Sequence, residues 1–261
     1  RGILTGTALV FALGLVDDFL KPNGLGFKTK FVFQIAAALG LLYFDIRIQF
    51  LRPEYLAAAM TVLWVVGITN ATNIIDIMDG LCASQAAIAA GAFLLIALPS
   101  EDVYVNVTAA ALAGASLGFL PYNLSTRLRI FLGDSGALVM GFVLAALALG
   151  TRYSAVNPLG VYVPLLILAI PIYDTLFVMI LRVLKGRSPF LGSKDHFALR
   201  METLGLSRPQ ILMLTVFISV LLSLCAFVVT QVSLGWAVAI YAVVALETLM
   251  LSVRLARVVM H

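Results

Sequence analysis

The sequence predicts an all-α, polytopic membrane protein, and three observations support that prediction. Hydrophobic residues make up 62% of the 261 residues and charged residues only 11%, whereas a soluble domain is typically about 45–50% apolar and about 25% charged. The apolar segments are long, continuous and rich in Leu, Ala and Val, without the period-two alternation of outer-membrane strands. No change in composition marks a second domain. We therefore expect one transmembrane domain over residues 1–261.

Nine segments are apolar and long enough to be expected as transmembrane helices. They cover residues 3–19, 31–45, 55–73, 82–98, 107–121, 136–150, 160–183, 209–231 and 234–253. Residues 46–52, IRIQFLR, alternate in polarity and are compatible with either a short surface strand or an irregular loop. The chain begins at Arg1, without an initiator Met or a polar leader, so we expect an N-terminal truncation.

Basic residues divide unevenly between the two ends of these segments. If the nine spans alternate across the bilayer, one side carries the connections 17–30, 74–81, 122–135 and 184–208 together with the C-terminus. The opposite side then holds only four of the 17 Lys and Arg residues, namely Arg1, Arg47, Arg52 and Arg152. By the positive-inside rule the first side, with the other 13, is cytoplasmic. The sequence therefore predicts a multi-pass protein of the plasma (inner) membrane with this orientation.

Three acidic motifs interrupt the apolar sequence, and all fall on the basic side. They are GLVDDF with Asp17 and Asp18, NATNIIDIMDG with Asp76 and Asp79, and FLGDSG with Asp134. Five carboxylates at the bilayer centre would cost roughly 12–18 kcal/mol, at about 2.5–3.5 kcal/mol each, so we expect them at helix ends or in a wet cavity. Mutually repelling carboxylates need a counter-charge, which a hard divalent cation commonly supplies. The motifs therefore predict a metal site in the membrane domain.

Polar side chains recur at every third position of the second motif: Asn70, Asn73, Asp76 and Asp79. Residues three apart are neighbours on a helix surface, but the row drifts by about 60° per step at about 3.6 residues per turn. The four therefore face one point only if the helix tightens or ends, and Gly80 is the expected end. The alternative for the two asparagines is hydrogen bonding between helices.

The connection 122–135, YNLSTRLRIFLGDSG, brings Asn123, two arginines and Asp134 to the same surface. A Gly-Asp-Ser-Gly turn that opens a helix places backbone N–H groups beside the carboxylate, which suits phosphate oxygens bridged by a metal. Ordinary N-capping is the alternative explanation of this turn.

The connection 184–208 is the longest polar stretch, and it holds Lys185, Arg187, Lys194, Asp195, His196 and Arg200. Cationic loops beside a carboxylate-rich site predict a substrate with several phosphates. A loop that only follows the positive-inside rule is the alternative, but it does not explain His196. Asp174 lies inside a predicted span after Pro171. We expect it to pair with Arg182 or a loop cation, or to reach the site where the proline opens the helix.

The ordered motifs resemble one enzyme family over about residues 10–208. The order is GLVDDF, KTKFVFQ, NATNIIDIMDGL, PYN with IFLGDSGAL, and P-x-x-D with GRSPF and DHFALR. It resembles the polyprenyl-phosphate N-acetylhexosamine-1-phosphate transferases. The resemblance implies Mg²⁺-dependent transfer of a sugar-1-phosphate, with Mn²⁺ as the alternative ion, from a UDP-N-acetylhexosamine to a polyprenyl phosphate. The resemblance also implies that UMP is released and that the lipid product enters a cell-envelope glycan pathway.

The resemblance also implies roles for individual residues. Asp17 and Asp18 match the paired aspartates associated with the acceptor phosphate and its activation. Asn73 and Asp134 match metal-contacting positions, and Lys30 matches a phosphate-binding basic position.

Four further positions follow from the same motifs. Asp76 and Asp79 match the acidic pair beside the metal, Asn123 matches a residue near the nucleotide, and His196 matches the first histidine of an H-x-H-H stretch. Three further residues are candidates for substrate binding: Asn70 from the NATNIIDIMDG motif, and Lys194 and Arg200 from the connection 184–208.

Two departures from the family pattern leave the identity of the transferred sugar undetermined. The D-G-L-D-G-L motif reads D-I-M-D-G-L at 76–81, and H-x-H-H reads H-F-A-L at 196–199. Since the family usually has about ten or eleven spans, the resemblance also implies about two helices before residue 1. The implied partners are the bilayer and the two substrates; a homodimer is compatible with the sequence, and nucleic acid is not an expected partner.

Two other functions compete with this interpretation. A CDP-alcohol phosphotransferase also uses clustered aspartates, but its D-G-x-x-A-R spacing fails after Gly80, where Leu-Cys-Ala-Ser follows. A transporter would place polar residues near the midplane, commonly in inverted repeats. No such repeat is visible, and the polar motifs gather at one predicted face.

Overall fold

The computed structural model describes residues 1–100, 102–153, 156–189 and 194–260. Within these ranges the regular elements are helices only, which confirms the all-α prediction. The chain forms two compact units, Arg1–Arg152 and Tyr153–His261, and each is described separately. The expectation of a single catalytic domain stays a prediction.

The first unit contains six α-helices, and each overlaps one predicted span. They are α1 (Gly2–Phe19), α2 (Phe27–Tyr43), α3 (Glu54–Ile74), α4 (Leu81–Ala97), α5 (Val103–Asn123) and α6 (Gly133–Gly150). Helix α6 is central: it packs against α1, α3, α4 and α5, and most of its residues between 137 and 148 are buried.

Glycines allow α1 and α3 to approach α6 closely. A Cβ built on Gly14 of α1 would lie 2.4 Å from the Cα of Ser135. A Cβ on Gly141 of α6 would lie 2.8 Å from the Cα of Thr69 in α3. Small residues at such crossings let two backbones pack together in a membrane. This packing brings the last turn of α1 against the first turn of α6.

The second unit consists of a 3₁₀ turn (Pro158–Tyr162) and five helices: α7 (Val163–Ile167), α8 (Ala169–Leu184), α9 (Phe197–Thr203), α10 (Arg208–Val229) and α11 (Leu234–Ala256). The predicted span 160–183 is broken, because its two halves meet at 74°. The break lies at Leu168, three residues before Pro171. A proline lacks the N–H that would bond to the carbonyl four residues earlier, and its ring clashes there.

In the described part of the chain, six helices are long and apolar enough to cross a membrane: α1, α3, α5, α6, α10 and α11. The bent α7–α8 pair makes seven if it forms one span, and α4 is a shorter apolar helix of 17 residues. The polytopic architecture is thus confirmed, whereas the predicted count of nine is not. Residues 46–52 form a loop, in which the Ile48 N–H donates to Thr61 Oγ1 at 3.0 Å.

Candidate active site

The first unit joins two of the three acidic motifs through the ends of α1 and α6. Asp18, in the last turn of α1, accepts hydrogen bonds from the backbone N–H groups of Asp134 (3.0 Å) and Ser135 (2.9 Å). Gly133 makes this approach feasible: its φ is +67°, and a Cβ there would lie 2.7 Å from Asp18 Oδ2. The N–H groups that the sequence assigned to phosphate are therefore occupied by a carboxylate of the same chain.

Two lysines bridge the three aspartates of these motifs. Lys21 Nζ lies 2.7 Å from Asp18 Oδ1 and 2.9 Å from Asp134 Oδ1. Lys30 Nζ lies 2.7 Å from Asp17 Oδ2 and 2.5 Å from Asp134 Oδ2. We call these five residues the lysine–aspartate cluster.

Lys21 was missed by the sequence analysis, although a lysine three residues after an acid at a helix end was the available signal. Burial alone would lower the pKa of Lys21, but its hydrogen bonds to Asp18 and Asp134 outweigh burial and raise that pKa. Lys21 therefore carries a full positive charge between two carboxylates.

The second acidic motif lies beside the cluster only in part. Helix α3 ends at Ile74, and Gly80 is the N-cap residue of α4 rather than the end of α3, so that expectation was wrong. Asn73 Nδ2 lies 3.4 Å from Asp134 Oδ2. Burial, followed by the charges of Asp134 and Asp79, raises the pKa of Asp76 to about 6.

Asp79 is directed to a different partner. It forms an ion pair with Arg129, whose guanidinium carbon lies 4.7 Å from the centre of the Phe131 ring. This pair links the 75–80 loop to the 124–132 loop, and it shows that the row of four polar residues does not converge on one point.

Asn70 and Asn123 both bind protein groups. Asn70 Nδ2 donates to Gln34 Oε1 at 2.5 Å and to the Val66 carbonyl at 2.7 Å, which is the interhelical bonding that the sequence offered as the alternative. The Asn123 amide accepts from the Gly80 N–H at 2.6 Å and donates to the Ile130 carbonyl at 2.9 Å. The substrate-binding roles of both residues stay predictions.

The second unit contains another buried polar group around His196. His196 Nδ1 lies 2.7 Å from Asp174 Oδ2, and the Phe197 N–H donates to Asp174 Oδ1 at 2.9 Å. The sequence analysis expected Asp174 to pair with Arg182 or a loop cation, or to reach the site where Pro171 opens the helix; the partners that the structure gives it are the imidazole of His196 and the backbone N–H of Phe197.

Arg200 is almost completely buried and bonds to groups within the second unit. It donates to Asp195 Oδ1 at 2.6 Å and to the carbonyls of Leu255 and Val258 at 2.9 Å each. Burial would raise the pKa of Asp195, but hydrogen bonds from Lys185 and Arg200 hold it below its usual value. Lys194 is exposed. The phosphate-binding roles of Lys194 and Arg200 stay predictions.

Known proteins are similar to both units. A family model described as glycosyl transferase family 4 matches residues 1–152, the extent of the first unit. A probable undecaprenyl-phosphate N-acetylglucosaminyl 1-phosphate transferase of Bacillus subtilis is 31% identical over 241 residues, covering 89% of this chain and 66% of that protein. The decaprenyl-phosphate N-acetylglucosaminephosphotransferase of Mycobacterium leprae is 31% identical, covering 81% of this chain and 60% of that protein.

A third relative matches a shorter part of the chain. The phospho-N-acetylmuramoyl-pentapeptide-transferase of Halalkalibacterium halodurans is 36% identical over 155 residues, covering 52% of this chain and 47% of that protein. The chain thus spans between about half and two thirds of the length of these relatives. Because the family model matches more than half of the chain, this polytopic membrane protein belongs to glycosyl transferase family 4.

Proposed function

We propose that the chain is part of a membrane enzyme that transfers a sugar-1-phosphate, specifically N-acetylhexosamine-1-phosphate, from a UDP-sugar to a polyprenyl phosphate. The names of the relatives support the lipid acceptor and the sugar-phosphate group. The observation that carries the proposal is the lysine–aspartate cluster at the junction of α1 and α6. A site that balances several carboxylates against two lysines is suited to a reaction between two phosphates.

The chemistry of the donors fits Mg²⁺. Among the described residues no three His, Cys, Asp or Glu side chains form a ready metal cage. Mg²⁺ commonly takes only one or two protein carboxylates, with waters and substrate phosphates as its other ligands. We propose Asp134 and Asn73 as the protein ligands, because their side chains are neighbours and both carry hard oxygens. When bound, Mg²⁺, or Mn²⁺ in its place, would neutralise charge on the transferring phosphate.

The two lysines are proposed to bind phosphate oxygens. Both ammonium groups already contact two carboxylates each, and the long flexible stem of a lysine lets its charge move to a nearby anion. Asp17 and Asp18 hold the lysines in the absence of substrate. In the proposed reaction an acceptor phosphate oxygen bonds to the sugar-bearing phosphorus of the UDP-sugar. The bond to the bridging oxygen then breaks, and UMP leaves.

Asp17 and Asp18 are proposed to help the acceptor phosphate reach its fully ionised form. Asp76 and Asp79 are proposed to act at the edge of the same site: Asp76 through its charge near Asp134, and Asp79 through the arginine that it holds. Asn123 would then place the loop that carries this arginine, because it bonds to both connections.

The site is proposed to face the cytoplasm from the plasma membrane. The predicted distribution of basic residues supports the cytoplasmic orientation, and the location of the cluster at helix ends supports a site at the membrane interface. A polyprenyl tail is apolar enough to stay in the bilayer, so an interfacial site gives the lipid phosphate access to a water-soluble UDP-sugar.

The proposal is tested by following transfer of radiolabel from UDP-N-acetylglucosamine or another UDP-N-acetylhexosamine to undecaprenyl phosphate, using the full-length protein. We expect lipid product and UMP in equal amounts, and loss of both in EDTA. Asp134→Asn should lower the rate by at least about 10²–10³, the scale for loss of one electrostatic stabiliser. Asp45→Asn, which changes an exposed acid paired with Arg47, is the matched control. Release of UDP, transfer in EDTA or full activity of Asp134→Asn would contradict the proposal.

A further inference from the structure

Asp174 is a buried carboxylate that the proposed reaction does not otherwise use. Its side chain is fully shielded from solvent in the middle of α8, where an ionised group is costly unless it is hydrogen-bonded. Both of its oxygens are bonded: Oδ1 accepts from the Phe197 N–H, and Oδ2 contacts the imidazole of His196. Each carboxylate oxygen of Asp174 therefore has a partner. One of these partners is one of the two histidines in the sequence.

This contact determines where the proton of the imidazole lies. An ionised carboxylate can only accept hydrogen bonds, so the nitrogen that faces it must carry the hydrogen. The contact is made by Nδ1, and a neutral imidazole with hydrogen on Nδ1 has its lone pair on Nε2. Nε2 makes no hydrogen bond with the residues that the structure describes, and the His196 side chain keeps 9% of its surface exposed.

The ring is also prevented from turning. His196 immediately precedes α9, and the N–H of the first residue of that helix is bonded to Asp174. The middle of the short helix is held by Arg200, which bonds to Asp195 and to the carbonyls of Leu255 and Val258. Rotation of the imidazole would break a buried contact without offering the carboxylate a new donor.

We propose that Asp174 is a positioning residue that holds His196 in its Nδ1–H form, so that Nε2 accepts a hydrogen bond from an N–H or O–H group of the UDP-sugar. The inference rests on the proposed function and deepens it. A lone pair at Nε2 suits a hydroxyl or amide of the substrate, whereas a phosphate oxygen, itself an acceptor, would require the doubly protonated ring. Asp174 acts through the histidine and does not touch substrate.

The test is nitrogen NMR of ¹⁵N-histidine-labelled full-length protein, with the His196 signal assigned by its loss in His196→Gln. At pH 8 we expect a protonated Nδ1 and an unprotonated Nε2, and addition of UDP-N-acetylglucosamine should shift the Nε2 signal. Asp174→Asn should reverse the protonation, because the new amide can donate to Nδ1 while its oxygen still accepts from Phe197. Glu202→Gln is the matched control, since it alters an acid of α9 that pairs with Arg208 at 3.0 Å.

Kinetics complete the test. Asp174→Asn should lower kcat by about 10–100-fold, the scale for groups that orient a functional imidazole, with a smaller change in KM, and Asp174→Glu should restore part of the loss. A protonated Nε2 in the wild-type protein overturns the inference whether or not the variants fold. Reversed protonation with unchanged kcat also overturns it while leaving the proposed function intact. Absence of transfer by the wild-type protein instead refutes the proposed function.

Discussion

Two polar clusters of this protein both combine aspartates with basic side chains, but they differ in how far those side chains are buried and in which groups they bond to. In the lysine–aspartate cluster the cations are lysines, and the Lys21 side chain is half exposed at 50%. In the second unit, Asp174, Asp195, His196 and Arg200 form what we call the histidine–aspartate cluster. There the Asp174 side chain is fully buried and that of Arg200 is 2% exposed.

The partners of the two clusters differ in the same way. Among the described residues, the ammonium groups of the lysines bond to side-chain carboxylates, which a ligand with its own charges can replace. Asp174 and Arg200 bond to backbone amides and carbonyls as well as to side chains, and these are lost only if the helices move. The comparison agrees with the proposal of an exchangeable binding site in the first unit, and of a fixed support in the second unit that leaves Nε2 of His196 without a partner among the described residues.

The largest expected effect comes from breaking the fixed cluster. Arg200→Met should lower the free energy of unfolding by about 3 kcal/mol, because loss of one partner leaves buried polar groups without their donor. Lys21→Met should change it by less than about 1 kcal/mol, since exposed ion pairs contribute little. Unfolding of both variants in mixed detergent micelles measures the difference. Equal losses would contradict the contrast between the clusters.

A smaller effect is expected from Gly133, the glycine that lets Asp18 approach α6. Gly133→Ala and Gly186→Ala both place a side chain at positive φ, +67° and +68°, which costs about 1–2 kcal/mol. Only at Gly133 would the new Cβ also meet a carboxylate, whereas nothing lies within 4 Å at Gly186.

Gly133→Ala should therefore lose transfer activity beyond its loss of stability, because Asp18 must move away from α6. Gly186→Ala should lose stability alone. The measurement is the specific activity of each purified variant at a temperature where both are folded. Matching activities would show that the approach of Asp18 to α6 is not needed.

The smallest expected effect is a pH dependence at Asp76, whose pKa is raised to about 6 in the folded protein. The folded state then holds this proton more tightly than the unfolded state, where the ordinary value is 3.8. The contribution of Asp76 to the free energy of unfolding is therefore fully present below pH 3.8 and is lost as the pH rises through about 6.

Asp76→Asn removes that loss, so its advantage in melting temperature over the wild-type protein should grow between pH 4.5 and 7.5 in EDTA. Excess Mg²⁺ should reduce the difference at pH 7.5, because a bound cation offsets the repulsion from Asp134. A difference in melting temperature that is independent of pH would contradict the raised pKa of Asp76.

Sequence patterns predicted the helices because long apolar segments must bury their backbone polar groups in helices. They offered an opening of the helix at Pro171 as one alternative but did not predict the 74° bend at Leu168, since a proline in a span is tolerated without a sharp bend in some helices and not in others. The motifs also identified Asp17, Asp18 and Asp134, because charges are rare in such a composition.

Partners were harder to predict than residues. Asp174 has several cations nearby in sequence, and only the folded second unit selects His196. Asn123 resembles a ligand-binding residue in sequence, yet its amide is used by two loops. Which donor meets which acceptor depends on helix packing, which a single sequence does not specify.

Metal binding tests the central claim, that the lysine–aspartate cluster is the exchangeable site, most directly. Calorimetric titration of Mn²⁺ into full-length protein should show one site that Asp134→Asn weakens by at least about tenfold, since a charged oxygen ligand is lost. Lys21→Met should bind more tightly than the wild-type protein, because a cation no longer competes for Asp18 and Asp134, and Asp45→Asn should bind normally. Equal Mn²⁺ affinity in the wild-type protein, Asp134→Asn and Lys21→Met would contradict the account.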